Sequence, residues 1–216
     1  MKLRIDLKIF IFLILFYFTR QIEIYAYIMM FCIIHELGHL LAGIILKMKP
    51  EKLELMPWGL TVQFKLSPED YNNKIMNSNI LQIKKIIIAI AGPITNCILI
   101  ILFYFLELNL NIKTMVIYSN MVIIMFNLLP IYPLDGGRIL KSILNIIYGN
   151  IRTERIMNKI SNISIICITA LCAFTIYILK NIAILMILIY LWYLVINENK
   201  RYRIKEKVYM IIQNNI

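Results

Sequence analysis

Long apolar runs, separated by short polar segments, dominate the pattern of hydrophobic positions along the chain. A transmembrane helix needs roughly 20 residues, and several of these runs approach that length, while the first and last of the six are short. We predict spans at Ile9–Thr19, Ile24–Leu46, Ile86–Leu106, Thr114–Leu129, Ile160–Leu179 and Ile182–Ile196. The pattern therefore predicts an all-α polytopic membrane protein with about six transmembrane helices.

Two short stretches instead alternate apolar and polar residues with a period of two, which is typical of β-strands. The first is LRIDLKI, beginning at Leu3, and the second is LTVQFKL, beginning at Leu60. The turn-forming residues MPWG stand between KLEL and the second stretch. We predict a small β-sheet or hairpin near the cytoplasmic surface of the membrane. The alternative is an ordered loop without strand pairing.

Composition and charge support the membrane class. Of 216 residues, 61% are hydrophobic and 16% charged, whereas a soluble domain is nearer a quarter charged. With six spans and a cytoplasmic N-terminus, 20 of the 23 Lys and Arg residues fall on one side, and the other side holds Arg20, Lys113 and Lys180. This asymmetry follows the positive-inside rule and predicts that both termini are cytoplasmic. The net charge of +11 therefore indicates topology rather than nucleic-acid binding.

The stretch IIHELGHLL, residues 33–41, carries the candidate chemistry. On a helix, His35 and His39 project from one face, the arrangement in which two histidines hold Zn²⁺ and the adjacent glutamate, Glu36, acts as general base. These are the only two histidines in the chain, and they would lie near mid-membrane, where polar groups are costly. A solvated helix face is excluded at that depth. A haem-ligating or proton-relay pair would need no glutamate beside the first histidine.

A zinc hydrolase usually takes a third protein ligand and leaves one position for water. The candidate is Asp135 in FNLLPIYPLDGGRIL, after Pro130 and Pro133 and before two glycines. Prolines and glycines interrupt a helix, and non-helical backbone at membrane depth is tolerated where it is buried in protein or lines a wet cavity. The alternatives make Asp135 an ordinary turn residue or assign the third ligand to Cys32, for which packing is the better interpretation.

Two further polar features lie inside apolar segments. Asn127 falls within the fourth predicted span, where an unpaired amide is costly. It could structure the interrupted segment or hydrogen-bond a substrate carbonyl. The sequence AGPITN, residues 91–96, predicts a kinked helix with tight helix packing.

These motifs together resemble the site-2 proteases, which are intramembrane zinc metalloproteases, and most closely the stage IV sporulation protein FB branch. The resemblance runs in order through HELGH, ELMPWGLTVQF, AGPITN and NLLPIYPLDGG, over about residues 1–145. It implies that His35, His39 and Asp135 bind one zinc ion per chain and that Glu36 activates water. It is a resemblance in motifs and spacing.

The resemblance also implies a substrate. In this family the substrate is a membrane-associated precursor, cut in or near the bilayer, and in the sporulation branch it is the precursor of a late mother-cell sigma factor. Asn127, Pro130 and Pro133 are implied to help hold it. A membrane-bound inhibitor or regulator and a second copy of the chain are further candidate partners. The implied location is a bacterial cell membrane, and for a sporulation role the membrane around the forespore.

Members of the sporulation branch often carry a nucleotide-sensing CBS domain after the last span. About twenty residues follow Ile196 in this sequence, which is too few for such a domain. We therefore expect an intramembrane metalloprotease domain over residues 1–199 and a short basic cytoplasmic tail over residues 200–216, with no CBS domain.

Two other functions compete with this interpretation. A prenyl-peptide type of membrane zinc protease takes its third ligand from a downstream glutamate, but Glu154, Glu198 and Glu206 lie in or beside basic segments. A metal-ion or proton transporter using the histidine pair would be expected to show interrupted segments repeated in two halves, and no such repeat is visible.

The charge asymmetry generates a testable topology. Reporter fusions after Asn150 and at the C-terminus should both report the cytoplasm, because their flanking segments carry most of the Lys and Arg residues. Fusions near Asn111 and Lys180 should report the opposite side. A C-terminal reporter on the outside would contradict the count of six spans.

Overall fold

The computed structural model describes residues 2–5, 14, 16–18, 20, 22–56, 59–65, 75–107, 109–179 and 183–214. The chain divides into two compact units, Met1–Leu128 and Leu129–Ile216. Among the elements whose bounds the structure describes, the first unit has a small sheet and three helices, and the second has two long helices. The elements of the first unit are β1 (Lys2–Ile5), α1 (Ile22–Ile45), β2 (Lys49–Met56), β3 (Gly59–Lys65), α2 (Ile75–Phe105) and α3 (Leu110–Asn127). Those of the second are α4 (Asp135–Leu179) and α5 (Ala183–Asn214).

Helix α1 ends in a tight cap that leads directly into the sheet. Lys47 adopts φ 60°, the left-handed conformation that commonly terminates a helix. The Met48 N–H donates to the Gly43 carbonyl at 2.9 Å, and the Lys47 N–H donates to the Ile44 carbonyl at 2.9 Å. These two bonds form a Schellman motif and satisfy carbonyls of the last turn. Strand β2 therefore begins two residues after Lys47.

Within the described part of the chain the sheet has three strands in the order β1–β2–β3, with β1 parallel and β3 antiparallel to β2. The prediction of a small sheet built from the two alternating stretches is confirmed, although residues 6–9 of the first stretch lie outside the described part of the chain. Phe64 of β3 lies against Gly43 of α1, and a Cβ at Gly43 would overlap the Phe64 ring. A glycine near the end of α1 is thus what lets the sheet pack close to that helix.

Helices α1 and α2 approach closely through small residues. A Cβ at Gly38 would clash with Thr95, so the glycine inside HELGH allows the two backbones to come together. An apolar cluster of Phe31, Cys32, Val116 and Ile123 extends the contact from α1 to α3. Helix α2 passes through Pro93 as one helix, and the tight packing predicted for AGPITN is confirmed.

The second unit begins with the non-helical stretch Leu129–Leu134, in which the Tyr132–Pro133 peptide bond is cis. The predicted interruption is therefore present, but it is shorter than expected. The two glycines after Asp135 belong to the first turn of α4 and do not prolong the loop. A Cβ at Gly137 would strike the backbone of Ile131 and Tyr132, so the glycine lets the loop lie directly against the helix.

Helix α4 consists of two helical stretches joined at a kink. Gly149 has φ 73° and ψ 171°, a conformation that L side chains rarely adopt. The structure shows a kink at this position, with helix on both sides.

Three helices within the described residues are long and apolar enough to cross a membrane: Ile22–Ile45, Asn79–Phe105 and Asp135–Ile178. They include all but the last residue of the second, third and fifth predicted spans. The fourth and sixth predicted spans coincide with α3 and the start of α5, which are helical but are not among these three. Most of the first lies outside the described residues. The helical membrane class is supported, and the count of six spans remains a prediction.

Candidate metal centre

Helix α1 brings its two histidines together at a buried position. His35 and His39 have 2% and 1% of their surface exposed, and their Nε2 atoms lie 3.2 Å apart. The rings meet edge to face, with their centroids 4.8 Å apart. The predicted pairing of the two imidazoles on one face of a helix is therefore observed in the first unit.

The other nitrogen of each ring is held by α2. His39 Nδ1 lies 2.6 Å from the Ile88 carbonyl oxygen, and His35 Nδ1 lies 3.3 Å from Asn96 Oδ1. Both oxygens are acceptors, so each Nδ1 carries the proton in a neutral ring, and each Nε2 presents a lone pair. The Gly92 N–H also lies 3.3 Å from His39 Nδ1, but the shorter contact with the carbonyl determines the tautomer.

This arrangement fits a zinc ion. Zinc binds imidazole nitrogen at about 2.0–2.1 Å in tetrahedral geometry, which separates two such nitrogens by about 3.3–3.4 Å. The observed Nε2 separation of 3.2 Å is close to that value. Two lone pairs facing each other at this distance repel unless a cation lies between them or a proton is shared. Histidine ligands of a metal also typically donate their second N–H to a carbonyl or carboxylate, as both rings do here.

The histidine rings fit against α2 because that helix carries a glycine beside them. A Cβ at Gly92 would clash with His35 Nε2 and with the His39 ring. Asn96, one turn later, is fully buried. Sequence reasoning treated AGPITN as a packing motif and missed Asn96 as the partner of His35. The available signal was an amide inside an apolar helix, which needs a partner wherever it is buried.

Glu36 follows His35 directly on α1 and is partly buried. Cys32, one turn before His35, lies in the apolar cluster with Phe31 and Val116, in agreement with its interpretation as a packing residue. All four cysteines of the chain are unpaired.

Asp135 lies in the second unit, where it is the first residue of α4 and 4% exposed. A carboxylate in the first turn interacts favourably with the helix dipole. Arg138 Nη1 lies 3.7 Å from Asp135 Oδ1, within ion-pair distance. Sequence reasoning did not single out Arg138.

The residues predicted to contact substrate flank the same interruption. Asn127 is the last residue of α3, and its Nδ2 donates to the Ile123 carbonyl at 3.1 Å, so its amide is used at least in part within its own helix. Pro130 and Pro133 lie in the non-helical stretch before α4. Their contact with a substrate remains a prediction.

Further buried polar groups lie on α3. Ser119 and Asn120 are 1% and 0% exposed. Ser119 Oγ and Asn120 Oδ1 have no hydrogen-bond partner among the described residues, and the same holds for Asn96 Nδ2. Buried polar atoms of this kind usually bind water or a ligand, so the interior of this unit is more polar than its helices suggest. Sequence reasoning overlooked the pair, whose signal was SN within the run IYSNMVII.

Two curated proteins are similar to this chain. A zinc metalloprotease of Methanocaldococcus jannaschii is 30% identical over 135 residues, which cover 59% of this chain and 36% of that protein. Stage IV sporulation protein FB of Bacillus subtilis is 26% identical over 126 residues, which cover 56% of this chain and 40% of that protein. The matched region therefore spans two fifths or less of these relatives.

A solved structure and a family description agree with these matches. The structure of a site-2 protease from Methanocaldococcus jannaschii aligns with a TM-score of 0.64 over 91% of this chain and 89% of the other, at 22% identity, and it supports the fold. The description of peptidase family M50 matches residues 24–112 and 107–171, which include HELGH, AGPITN and the PLDGG segment. By this match, which covers most of its length, the chain belongs to peptidase family M50.

Proposed function

We propose that this protein is an intramembrane zinc metalloendopeptidase that cleaves a membrane-associated protein precursor. The observation that carries the proposal is the buried pair of histidines, whose Nε2 atoms lie 3.2 Å apart while each Nδ1 contacts an acceptor oxygen. That geometry suits a metal and lies in the middle of an apolar helix of 24 residues. Membership of peptidase family M50 supports hydrolysis of peptide bonds as the reaction.

The proposed centre contains one zinc ion per chain, held by His35, His39 and Asp135. The support for Asp135 is its burial, its nearby guanidinium and its place in the PLDGG motif within the family match. When bound, zinc supplies Lewis-acid activation of water and of the peptide carbonyl. Glu36 accepts the proton of the attacking water and delivers it to the leaving amine nitrogen. The Ile88 carbonyl and Asn96 Oδ1 orient the two rings so that their Nε2 atoms face the proposed ion.

The depth of the site supports a substrate within or near the bilayer. His35 lies about halfway along α1, which has the length and apolarity of a membrane span. We propose six spans with both termini in the cytoplasm, a protease domain over residues 1–199 and a basic tail over residues 200–216. In this arrangement the sheet lies on the cytoplasmic side, where most Lys and Arg residues fall.

We further propose that the substrate is a precursor of a transcription regulator, with a sporulation sigma-factor precursor as the first candidate. The support is the similarity to a stage IV sporulation protein and the resemblance of the motifs to that branch. Asn127, Pro130 and Pro133 are proposed to help hold the substrate. A membrane-bound regulator and self-association are further proposed partners, and the membrane around the forespore is the proposed location.

The sheet suggests how a substrate could be held in an extended form. Strand β3 pairs with β2 on one side only, among the strands that the structure describes, and it packs against the end of α1 through Phe64 and Gly43. An exposed strand edge can bind an extended segment by main-chain hydrogen bonds. We propose that β3 adds a substrate strand in this way, because a helical substrate must unwind before its peptide bond can be attacked.

The first prediction separates the base from the ligands. Glu36→Gln should retain about one zinc per chain, because the glutamate is not a ligand, and should lose cleavage by roughly 10²–10⁴-fold. His35→Ala, His39→Ala and Asp135→Ala should lose cleavage and bind zinc more weakly. Zinc content by elemental analysis and cleavage of a co-expressed membrane-tethered precursor measure the two effects.

These variants also test the proposal against its rivals. Retention of both zinc and activity by Asp135→Ala would place the third ligand elsewhere. Full activity in Glu36→Gln would remove the proposed base from the mechanism. Zinc flux into liposomes without peptide cleavage would identify a transporter.

The second prediction concerns Asn96. Asn96→Leu removes the acceptor facing His35 Nδ1, and changes of this kind typically weaken metal binding by roughly 10–100-fold. Asn96→Asp keeps an acceptor oxygen at that position and should bind zinc close to the parent. Competition with a chromophoric chelator measures the affinity. Equal zinc affinity in Asn96→Leu and the parent would show that Asn96 is a packing residue alone.

The third prediction tests the strand edge. Val62→Pro removes a backbone N–H from β3, which an added strand could otherwise use. Cleavage should fall by roughly tenfold or more, because the substrate would lose about one to two main-chain hydrogen bonds. Zinc content and helicity should be unchanged. Val62→Ala keeps the backbone donor and serves as the control. Parent activity in the proline variant would remove the edge from the mechanism.

A further inference from the structure

A cluster of charged side chains in the second unit joins its two helices. Lys141 Nζ and Lys205 Nζ lie 2.9 Å and 2.7 Å from the same oxygen, Oε1 of Glu154. The Glu154 side chain is 12% exposed and that of Lys141 is 17% exposed, so this pair is largely removed from water. We call these three residues the Glu154 cluster. An ion pair shielded in this way is screened less by salt than a surface pair.

The cluster reaches the loop that precedes Asp135 through an aromatic ring. Lys141 Nζ lies 4.3 Å from the centroid of the Tyr132 ring, a distance at which a cation is attracted to the face of an aromatic ring. Tyr132 stands three residues before Asp135. Its loop lies against the first turn of α4 at Gly137. One ammonium group thus contacts both Glu154 and the loop that leads to Asp135.

The cluster also spans the kink of α4. Lys141 precedes Gly149 and Glu154 follows it, so their ion pair joins the two stretches of helix. An added Cβ at Gly149 would meet no atom within 4 Å, so the space beside the kink is open at this residue. The ion pair is therefore a tie that can fix the angle between the stretch bearing Asp135 and the rest of α4.

Lys205 adds a second cation from α5. Partial burial lowers the pKa of Lys205, but the hydrogen bond to Glu154 and the charge of that carboxylate outweigh it, and the net shift is upward. Lys205 therefore remains protonated through the physiological range, and the cluster keeps two cations on one carboxylate.

We propose that Glu154 and Lys141 are positioning residues for Asp135: the ion pair holds the ammonium on the Tyr132 ring and so keeps the Asp135 segment in its ligand geometry. This inference rests on the proposed function, in which Asp135 is a zinc ligand. It gives the ion pair between Lys141 and Glu154, which lies outside the PLDGG motif, a role in metal affinity.

The test measures zinc affinity of the full-length protein in lipid nanodiscs by chelator competition, together with thermal unfolding by circular dichroism. Lys141→Met removes the cation from the ring and leaves Glu154 paired with Lys205, so it should fold and bind zinc roughly 3–10-fold more weakly, somewhat less than for a direct partner of a ligand. Glu154→Gln should weaken binding to a similar extent. Lys141→Arg keeps a cation that can pair with Glu154 and stack on the Tyr132 ring, and it should bind zinc within about twofold of the parent.

A matched control is Arg201→Gln, which breaks the 2.9 Å ion pair between Arg201 and Glu198 on α5 by changing a side chain that is 71% exposed and lies outside the Glu154 cluster. It should leave zinc affinity unchanged. A merely structural cluster would lower the unfolding temperature of Lys141→Met while its zinc affinity equalled that of the parent, and this result would overturn the inference.

Asp135→Ala, measured in parallel, separates this inference from the proposed function. If Asp135→Ala weakens zinc binding and Lys141→Met does not, only the positioning role fails. If Asp135→Ala binds zinc as tightly as the parent, the proposed third ligand is wrong, and the positioning role fails with it.

Discussion

The constraint on which the first unit depends is that an imidazole buried in an apolar helix must have its polar atoms satisfied. Leaving such a group unpaired costs about 1–3 kcal/mol, and α1 carries two of them within one turn. Helix α2 meets the need with a backbone carbonyl at Ile88 and an amide oxygen at Asn96. Because both are acceptors, they also determine which nitrogen of each ring remains for a metal. The hydrogen bonds that satisfy the buried rings are therefore the same bonds that orient each Nε2 as the metal-binding nitrogen.

These hydrogen bonds require α1 and α2 to lie close together, and glycines at their contact allow the close approach. Gly38 on α1 and Gly92 on α2 stand where any side chain would strike Thr95 or the histidine rings. In a membrane the hydrophobic effect gives no drive for helices to associate, so close backbone contact through small residues is the usual means. The same principle recurs at Gly43, which admits Phe64 of the sheet. Close packing in the first unit thus depends on Gly38 and Gly43 of α1 and on Gly92 of α2.

The second unit places a carboxylate at the start of a helix, immediately after an irregular stretch. Gly137 allows the loop to lie on the first turn, and the Lys141 ammonium contacts the Tyr132 ring from the helix side. A buried ion pair contributes little net stability against an apolar alternative, but removing one partner is strongly destabilising. The Glu154 cluster is thus better understood as a geometric tie than as a source of stability.

The sequence by itself determined the membrane class, the pair of histidines on one helix face, the strand-forming stretches and the interruption before Asp135. Each follows from local rules of periodicity, chain stiffness and the cost of burying polar groups, which act over a few residues. Only the tertiary structure decided that Asn96 and Ile88, 61 and 49 residues from their histidines, are the partners that orient the rings. It also decided that the glycines after Asp135 begin a helix and that Gly149 is a kink within one. The physical reason is that a hydrogen-bond partner or a close contact depends on which helices pack together, and local sequence rules do not encode that choice.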